Sequence, residues 1–244
     1  MGEDGGVTMA DTPVGILAPM PMELRAVVRA LSLGRSPVRG FHRGVVGDVT
    51  VVATTTGIGT LSATEAVERL LQETGARHVI VVGIAGGLAP GLAIGDVVVA
   101  DLVRDGASGA EYRSAPFGEL ESSGSLVTFD ELLTDPAELA SLTESGFAAI
   151  DMETSAIAAV CARRGCPWSA VRSISDRVGI DPVDAELLAL AHSDGSPDFA
   201  AVARFIVTRP WRLPGLVRLG AYSGRAAAAA AEAARRGCAT MSDP

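Results

Sequence analysis

The chain has 244 residues, of which 48% are hydrophobic and 20% charged, a composition that excludes a disordered protein and allows a sizeable core. Its formal net charge of -9 disfavours a nucleic acid as partner and favours a small, nearly neutral substrate. The three cysteines cannot all pair, and neither they nor the three scattered histidines match a zinc pattern, so we expect reduced thiols, no metal and no cofactor, as suits the cytoplasm.

We expect no targeting segment at the N-terminus and no membrane-spanning segment in the longest uncharged run. Residues 1–12 are acidic and lack an apolar stretch, so we expect a disordered tail rather than a secretory signal. The run from Val79 to Gly95 carries no charge, but its glycines and proline are typical of a strand and a loop rather than of a transmembrane helix.

Alternating strands and helices are predicted along the chain. In chain order they are strand Val14–Ala18, a polar stretch, a hairpin of Gly44–Val46 and Val49–Thr55, helix Leu61–Thr74, strands Val79–Val82 and Asp96–Ala100, a loop at 104–124, a helix capped by Asp135, strand Ala148–Asp151, helix Glu153–Arg164, strand Trp168–Ile174, and helices Asp198–Thr208 and Leu213–Arg236. This order predicts an α/β fold, a single three-layer domain with a mixed, mostly parallel central sheet flanked by helices. We expect a core at 13–180 and a C-terminal helical extension, 181–244, packed on the same domain.

Acidic residues stand at the predicted ends of three apolar strands. They are Glu23 in GILAPMPME, Glu153 in AIDMETSA and Asp176 in VRSISD. Because the carboxyl ends of parallel strands form the ligand crevice, three acids that converge there would supply a general base, a sugar clamp and a general acid. Any one of them has the alternative of a helix cap or a solvated loop residue, so the prediction depends on all three together.

Two glycine-rich segments lie between predicted elements. Thr56–Ser62 (TGIGTLS) resembles a dinucleotide fingerprint but has Ser62 in place of the third glycine, which disfavours an oxidoreductase. Such a turn presents backbone N–H groups to a ligand, or is simply a tight turn. Val82–Gly91 (VGIAGGLAPG) has small residues that let a ligand approach the backbone, or that crowd beside the sheet.

Together these motifs resemble the nucleoside phosphorylase and nucleosidase superfamily, in particular the methylthioadenosine/S-adenosylhomocysteine nucleosidase type. The resemblance runs from Val14 to about Val178 and rests on five motifs in the family's order: GILAPMPME, TGIGTLSA, VVGIAGGLAPGLAIGDVVVAD, IDMETSAIA and VRSISD. It implies cleavage of the N-glycosidic bond of a purine nucleoside, most simply by hydrolysis with release of adenine.

The resemblance also implies a role for individual residues. Asp176 aligns with the acid that protonates the purine, and Glu153 with the carboxylate that binds the ribose hydroxyls. Glu23 aligns with the acid that activates water, Met152 with a residue that packs on the ribose, and Arg172 with a cation near the nucleophile. Further substrate contacts are expected at Asp151, Ser175, Thr56, Ile84, Gly86, Leu132 and Leu133.

Several positions depart from the family pattern. Ile84 stands where nucleosidases often have serine, and Asp151 where glutamate is common. No purine-stacking aromatic residue is evident, since Leu132 and Leu133 occupy that region with Phe129 nearby.

The segment after the first strand bears on the choice of nucleophile. Phosphorylases usually carry a Gly/Arg phosphate loop there, whereas this chain has APMPME with Glu23. A buried carboxylate would repel phosphate, which favours hydrolysis, while the nearby Arg25 keeps phosphorolysis open.

Residues 193–236 resemble, more narrowly, the C-terminal part of hopanoid-biosynthesis-associated phosphorylase-like proteins, a group thought to remove adenine from an adenosyl-triterpenoid. The cluster around Trp211 would contact an amphiphilic substrate or simply pack over the sheet. The family resemblance implies a homodimer or larger homo-oligomer. A phosphate-dependent phosphorylase and a non-catalytic nucleoside-binding protein remain the alternatives.

Overall fold

A ten-stranded mixed sheet forms the centre of the computed structural model, which describes residues 12–177, 190, 192, 196 and 198–241. Residues 1–11 of the predicted tail and most of 178–197 lie outside the described residues. The strands are β1 Val14–Ala18, β2 Gly34–Arg35, β3 His42–Val46, β4 Val49–Thr55, β5 His78–Gly87, β6 Val97–Asp105, β7 Glu111–Arg113, β8 Gly124–Thr128, β9 Phe147–Asp151 and β10 Trp168–Arg177.

The long strand β5 organises the sheet. It lies parallel to β1 on one side and to β10 on the other, and its last residues, Gly86 and Gly87, pair antiparallel with β9. Because β10 also pairs with β6, which continues through β8 to β9, the strands β5, β10, β6, β8 and β9 close into a ring. The strands β1, β4, β3 and β2 extend from β5 as an open sheet.

Helices cover both faces of the sheet. They are α1 Pro21–Ala30, α2 Thr60–Thr74, α3 Pro136–Glu144, α4 Thr154–Arg164, α5 Phe199–Thr208, a 3-10 turn Pro210–Arg212 and α6 Leu213–Thr240. Residues of α2 and α4 pack in one apolar cluster, and residues of α1 and α6 pack in a second. The predicted three-layer α/β fold is therefore confirmed. Within the described residues, no helix is long and apolar enough to cross a bilayer.

Local signals located several elements accurately. The bounds of β1 are those predicted, Asp135 caps α3 by accepting a hydrogen bond from the Ala137 amide, and α2 ends at Gly75 in the left-handed conformation. A proline at the first position of a helix and a left-handed glycine at its end need only neighbouring residues, which is why sequence alone reveals them.

The structure corrects the sequence prediction at three places. The polar stretch after β1 contains helix α1, because Pro21 suits a first helical turn and Glu23 accepts a hydrogen bond from the Met20 amide. The predicted loop 104–124 begins inside β6, contains β7 and ends at the first residue of β8. Strand β10 extends to Arg177 across an irregularity between Ile174 and Asp176, so Asp176 lies inside the strand rather than after it.

Candidate active site

Glu23 is a buried carboxylate in the first turn of α1. Its Oε2 accepts a hydrogen bond of 2.6 Å from the Met20 amide, and its Oε1 accepts one of 2.8 Å from the Ile84 amide of β5. Burial raises the pKa of Glu23 to about 7, although the nearby Arg172 guanidinium and both amides oppose that rise. A carboxyl group in this state exchanges its proton near neutral pH and suits general base chemistry.

Arg172 lies on β10 and is fully buried. Its Nη2 is 2.6 Å from Asp151 Oδ2 and 3.3 Å from Glu153 Oε2. The ion pair is therefore internal to the protein rather than on its surface. Burial by itself would lower the pKa of Arg172, but the charges of Asp151, Glu153 and Glu23 outweigh it and raise this pKa, so the guanidinium stays charged.

Gly83 allows Glu23 and Arg172 to meet across β5. A Cβ atom at position 83 would lie 2.5 Å from Glu23 Oε1 and 2.6 Å from Arg172 Nη1, which is closer than real Cβ contacts allow. The two charged groups thus occupy the space that a side chain at this position would fill. Arg172 Nη1 also lies 3.4 Å from the Ile84 carbonyl oxygen, and this contact ties the guanidinium to the same strand.

Glu153 precedes the first turn of α4 and is buried. Its Oε1 accepts a hydrogen bond of 3.2 Å from the Gly59 amide, which belongs to the glycine-rich turn between β4 and α2. Burial raises the pKa of Glu153 to about 7. The positive charge of Arg172 lowers this pKa, whereas the negative charge of Asp151 raises it further. The glycine-rich turn therefore presents an N–H group to an acid of the protein itself.

Asp151 lies at the end of β9, behind Arg172. Its Oδ1 accepts a hydrogen bond of 2.6 Å from Thr128 Oγ1, and its Oδ2 accepts one from Thr154 Oγ1. Thr154 Oγ1 in turn accepts a hydrogen bond of 3.0 Å from Arg172 Nη2. These contacts occupy both carboxylate oxygens. They therefore favour a role for Asp151 in orienting Arg172 rather than in the predicted contact with substrate.

Asp176 and Ser175 lie together near the end of β10. The Ser175 hydroxyl donates a hydrogen bond of 2.6 Å to Asp176 Oδ1 and lies 3.4 Å from the Ala85 carbonyl oxygen. Asp176 is half-buried and pairs along the ladder with Gly86, three residues beyond Gly83 on β5. The acid at the end of β10 is thus brought to the same region of β5 as Glu23.

The remaining predicted contacts are all half-buried. They are Thr56 after β4, Ile84 and Gly86 on β5, Met152 between β9 and α4, and Leu132 and Leu133 in the segment between β8 and α3. Leu133 and Phe129 pack at the edge of an apolar cluster that includes Leu88. Arg25, by contrast, is exposed, because it lies two positions from Glu23 on α1 and so faces away from it.

Sequence reasoning missed the roles of Gly83, Thr128 and Thr154. Thr154 directly follows Glu153, and its position in the motif would have identified it. The others become neighbours of the acids only through pairing of distant strands and loops, for which a single sequence holds no signal.

A cleft of about 520 Å³ lies elsewhere, at the beginning of β10. Cys161, Cys166 and Trp168 line it with segment 111–115, and none of the predicted site residues does. It is therefore separate from the cluster of acids.

Comparisons with known proteins agree with this arrangement. The family model described as the phosphorylase superfamily matches residues 13–121 and 118–207. The 5'-methylthioadenosine/S-adenosylhomocysteine nucleosidase of Shewanella frigidimarina is 30% identical over 205 residues, which cover 70% of this chain and 89% of that relative.

Two solved structures have the same fold. One is a 5'-methylthioadenosine/S-adenosylhomocysteine nucleosidase from Colwellia psychrerythraea in complex with adenine. It superposes with a TM-score of 0.71 at 20% identity, and the superposition covers 95% of this chain and 96% of the Colwellia chain. The futalosine hydrolase of Helicobacter pylori gives a TM-score of 0.66 at 18% identity, over 92% and 96% of the two chains. Because the family model matches most of its length, the chain belongs to the nucleoside phosphorylase and nucleosidase superfamily, and within it to the methylthioadenosine/S-adenosylhomocysteine nucleosidase type.

Proposed function

We propose that this chain is an N-glycosyl hydrolase that releases adenine from a 5'-substituted adenosine, such as methylthioadenosine, S-adenosylhomocysteine or an adenosyl-hopanoid. The observation that carries the proposal is the pair Glu23 and Arg172, a carboxyl group with a pKa of about 7 beside a buried guanidinium. The kinship with adenine-nucleoside hydrolases supports the choice of substrate class.

In the proposed reaction the bond between ribose and purine breaks as positive charge develops on the sugar. Asp176 protonates the departing purine, and Glu153 binds the ribose hydroxyls and stabilises the cation. Glu23 takes a proton from the attacking water. Arg172 holds the two glutamates in place, and Met152 packs on the ribose. Asp151, Ser175, Thr56, Ile84, Gly86, Leu132 and Leu133 complete the proposed substrate contacts.

Water is a better nucleophile for this site than phosphate. Glu23, Asp151 and Glu153 surround the single guanidinium of Arg172, and Asp151 already neutralises its charge at 2.6 Å. A phosphate dianion would meet an excess of carboxylates, and the exposed side chain of Arg25 lies on another side of α1. Phosphorolysis is therefore the second candidate, and binding without turnover the third.

We further propose a cytoplasmic homodimer, as family members of this type suggest. Light scattering on the purified full chain tests the oligomeric state, and a mass equal to one chain would contradict the dimer.

A product assay tests the proposed function directly. Adenosine, methylthioadenosine, S-adenosylhomocysteine and an adenosyl-lipid are incubated with the full chain, with and without phosphate, and free adenine is measured. We expect adenine and a free ribose product in phosphate-free buffer. Strict phosphate dependence with a ribose-1-phosphate product would replace hydrolysis by phosphorolysis, and binding without release of adenine would rule out an enzyme.

A further inference from the structure

The segment 199–231 differs in charge from the rest of the protein. It contains five arginines and no acidic residue, although the whole chain has a formal net charge of -9. The arginines are Arg204, Arg209, Arg212, Arg218 and Arg225. Within the described residues, no carboxylate forms an ion pair with Arg204 or Arg218, and both residues are exposed. The segment is therefore strongly basic on an otherwise acidic molecule.

The same segment exposes large apolar side chains. Val207 of α5 is 80% exposed, Trp211 of the 3-10 turn 72% and Val217 of α6 63%. Helix α6 buries its first side chain only at Ser223, so its first ten residues, 213–222, include none that is buried. We call Arg204, Val207, Trp211, Val217 and Arg218 the C-terminal patch.

We propose that the C-terminal patch docks the protein on a membrane surface that contains anionic lipids. The segment combines arginines with an exposed tryptophan and exposed aliphatic side chains, and these are the features of a segment that lies in the membrane interface. Tryptophan prefers the headgroup level, where its ring contacts acyl chains, and arginines attract anionic headgroups. The protein would lie on the membrane through this patch without crossing it.

Charge complementarity favours a lipid surface over a second copy of the chain. A two-fold dimer through the C-terminal patch would bring the same surface from both copies together and place Arg204 and Arg218 opposite positive charges. An anionic bilayer instead offers negative headgroups above an apolar layer, and so satisfies both the arginines and the exposed Trp211, Val207 and Val217.

Vesicle flotation with the full chain tests the proposal. We expect binding to vesicles of phosphatidylcholine with phosphatidylglycerol to exceed binding to phosphatidylcholine alone by about tenfold or more, and to weaken as salt shortens the Debye length. The two tryptophans provide a second readout, because Trp168 is buried and Trp211 exposed. A blue shift of the emission on addition of anionic vesicles would therefore report entry of Trp211 into the interface.

Paired variants identify the surface. Trp211→Ser with Val217→Ser, and separately Arg204→Gln with Arg218→Gln, should each lower binding to anionic vesicles by about tenfold or more. The matched control is Arg43→Gln with Val45→Ser, two exposed residues of β3, which should bind as the wild type does. Circular dichroism establishes that each variant is folded, and the arginine pair still tests the proposal if the apolar pair unfolds.

Three results would overturn the proposal. The first is no binding to anionic vesicles at low salt, and the second is equal binding to neutral and anionic vesicles. The third is self-association in light scattering that Trp211→Ser abolishes while vesicles are not bound, since the patch would then be an interface between copies of the chain.

Discussion

At the scale of single residues, the site is a cluster of carboxyl groups around one guanidinium. Desolvation outweighs the attraction of Arg172 at both Glu23 and Glu153, and raises the pKa of each to about 7. The charge of the cluster therefore changes near pH 7, a pH at which ordinary glutamates are fully ionised. The reaction proposed for this site needs Glu23 ionised and Asp176 protonated, and each requirement leads to a prediction.

The first prediction concerns the pH dependence of turnover. Glu23 can accept a proton from water only when it is ionised, so kcat/KM should rise as the pH increases through about 7. Glu23→Gln should lower turnover by roughly a hundredfold or more, the usual scale for a lost general base, and should leave only the part of the rising limb that belongs to Glu153. The measurement is a pH-rate profile of both proteins, and a wild-type rate that is constant across neutral pH would contradict the assignment.

The second prediction distinguishes proton donation by Asp176 from simple orientation of the ligand. Asparagine at this position can donate a hydrogen bond but cannot deliver a proton, so Asp176→Asn should bind adenine while turnover of natural nucleosides falls by roughly a hundredfold or more. A nitrophenyl riboside, whose leaving group needs no proton, should be affected far less if the pocket accepts it. Equal losses on both substrates would instead indicate a positioning role.

At the scale of elements, loops that are distant in sequence hold the acids in place. The N-cap of α2 is Gly59, which has no side chain to cap the helix, and Asp130 supplies the cap from the segment between β8 and α3. Asp130 Oδ1 accepts hydrogen bonds of 2.7 Å from the Thr60 amide and 2.9 Å from the Thr60 hydroxyl. Since the Gly59 amide donates to Glu153, the cap also fixes the turn that contacts this acid.

The third prediction separates these two effects of Asp130. Asp130→Ala should lower the free energy of unfolding by about 1 kcal/mol and should also reduce turnover, because the turn at Gly59 loses its anchor. Asp135→Ala is the control, since it removes the cap of α3, and within the described residues no hydrogen bond joins α3 to Glu23, Glu153 or Asp176. It should cost a similar free energy without loss of turnover. Urea unfolding and kcat/KM are measured for both variants. Equal activity in the two would show that the cap does not influence the site.

At the scale of the whole molecule, helix α6 is part of the core. Its buried residues pack in the same apolar cluster as Val14, Ile16 and Val171 of the central strands. Those in the cluster are Ala230, Ala231, Ala233, Ala234 and Cys238, and Ala226 and Ala227 of the same helix are also buried. Small side chains let the helix lie close to the sheet, and helix α1 packs beside it in that cluster.

The fourth prediction is that the protein does not fold without this helix. At about 0.8 kcal/mol for each buried methyl group, the six alanines contribute roughly 5 kcal/mol, which is comparable to the total stability of a typical domain. A chain that ends before Ser223 should therefore lack a cooperative thermal transition in calorimetry. A truncated chain that unfolds cooperatively near the wild-type temperature would mean that α6 is a dispensable extension.

The sequence alone determined the features that depend on neighbouring residues. The apolar run Val14–Ala18 marked the first strand, and Asp135 marked the start of α3. The motifs with Glu23, Glu153 and Asp176 identified the family. Strand periodicity, helix caps and short motifs are all properties of a few consecutive positions, so a single chain displays them.

Only the tertiary structure decided how those acids are held. The Ile84 amide that binds Glu23 is 61 positions away in sequence, and the Gly59 amide that binds Glu153 is 94 positions away. The close approach at Gly83 depends on the pairing of β5 with β10. The burial that raises the two pKa values results from the packed strands and helices together, and no local pattern encodes the exclusion of water from a carboxyl group.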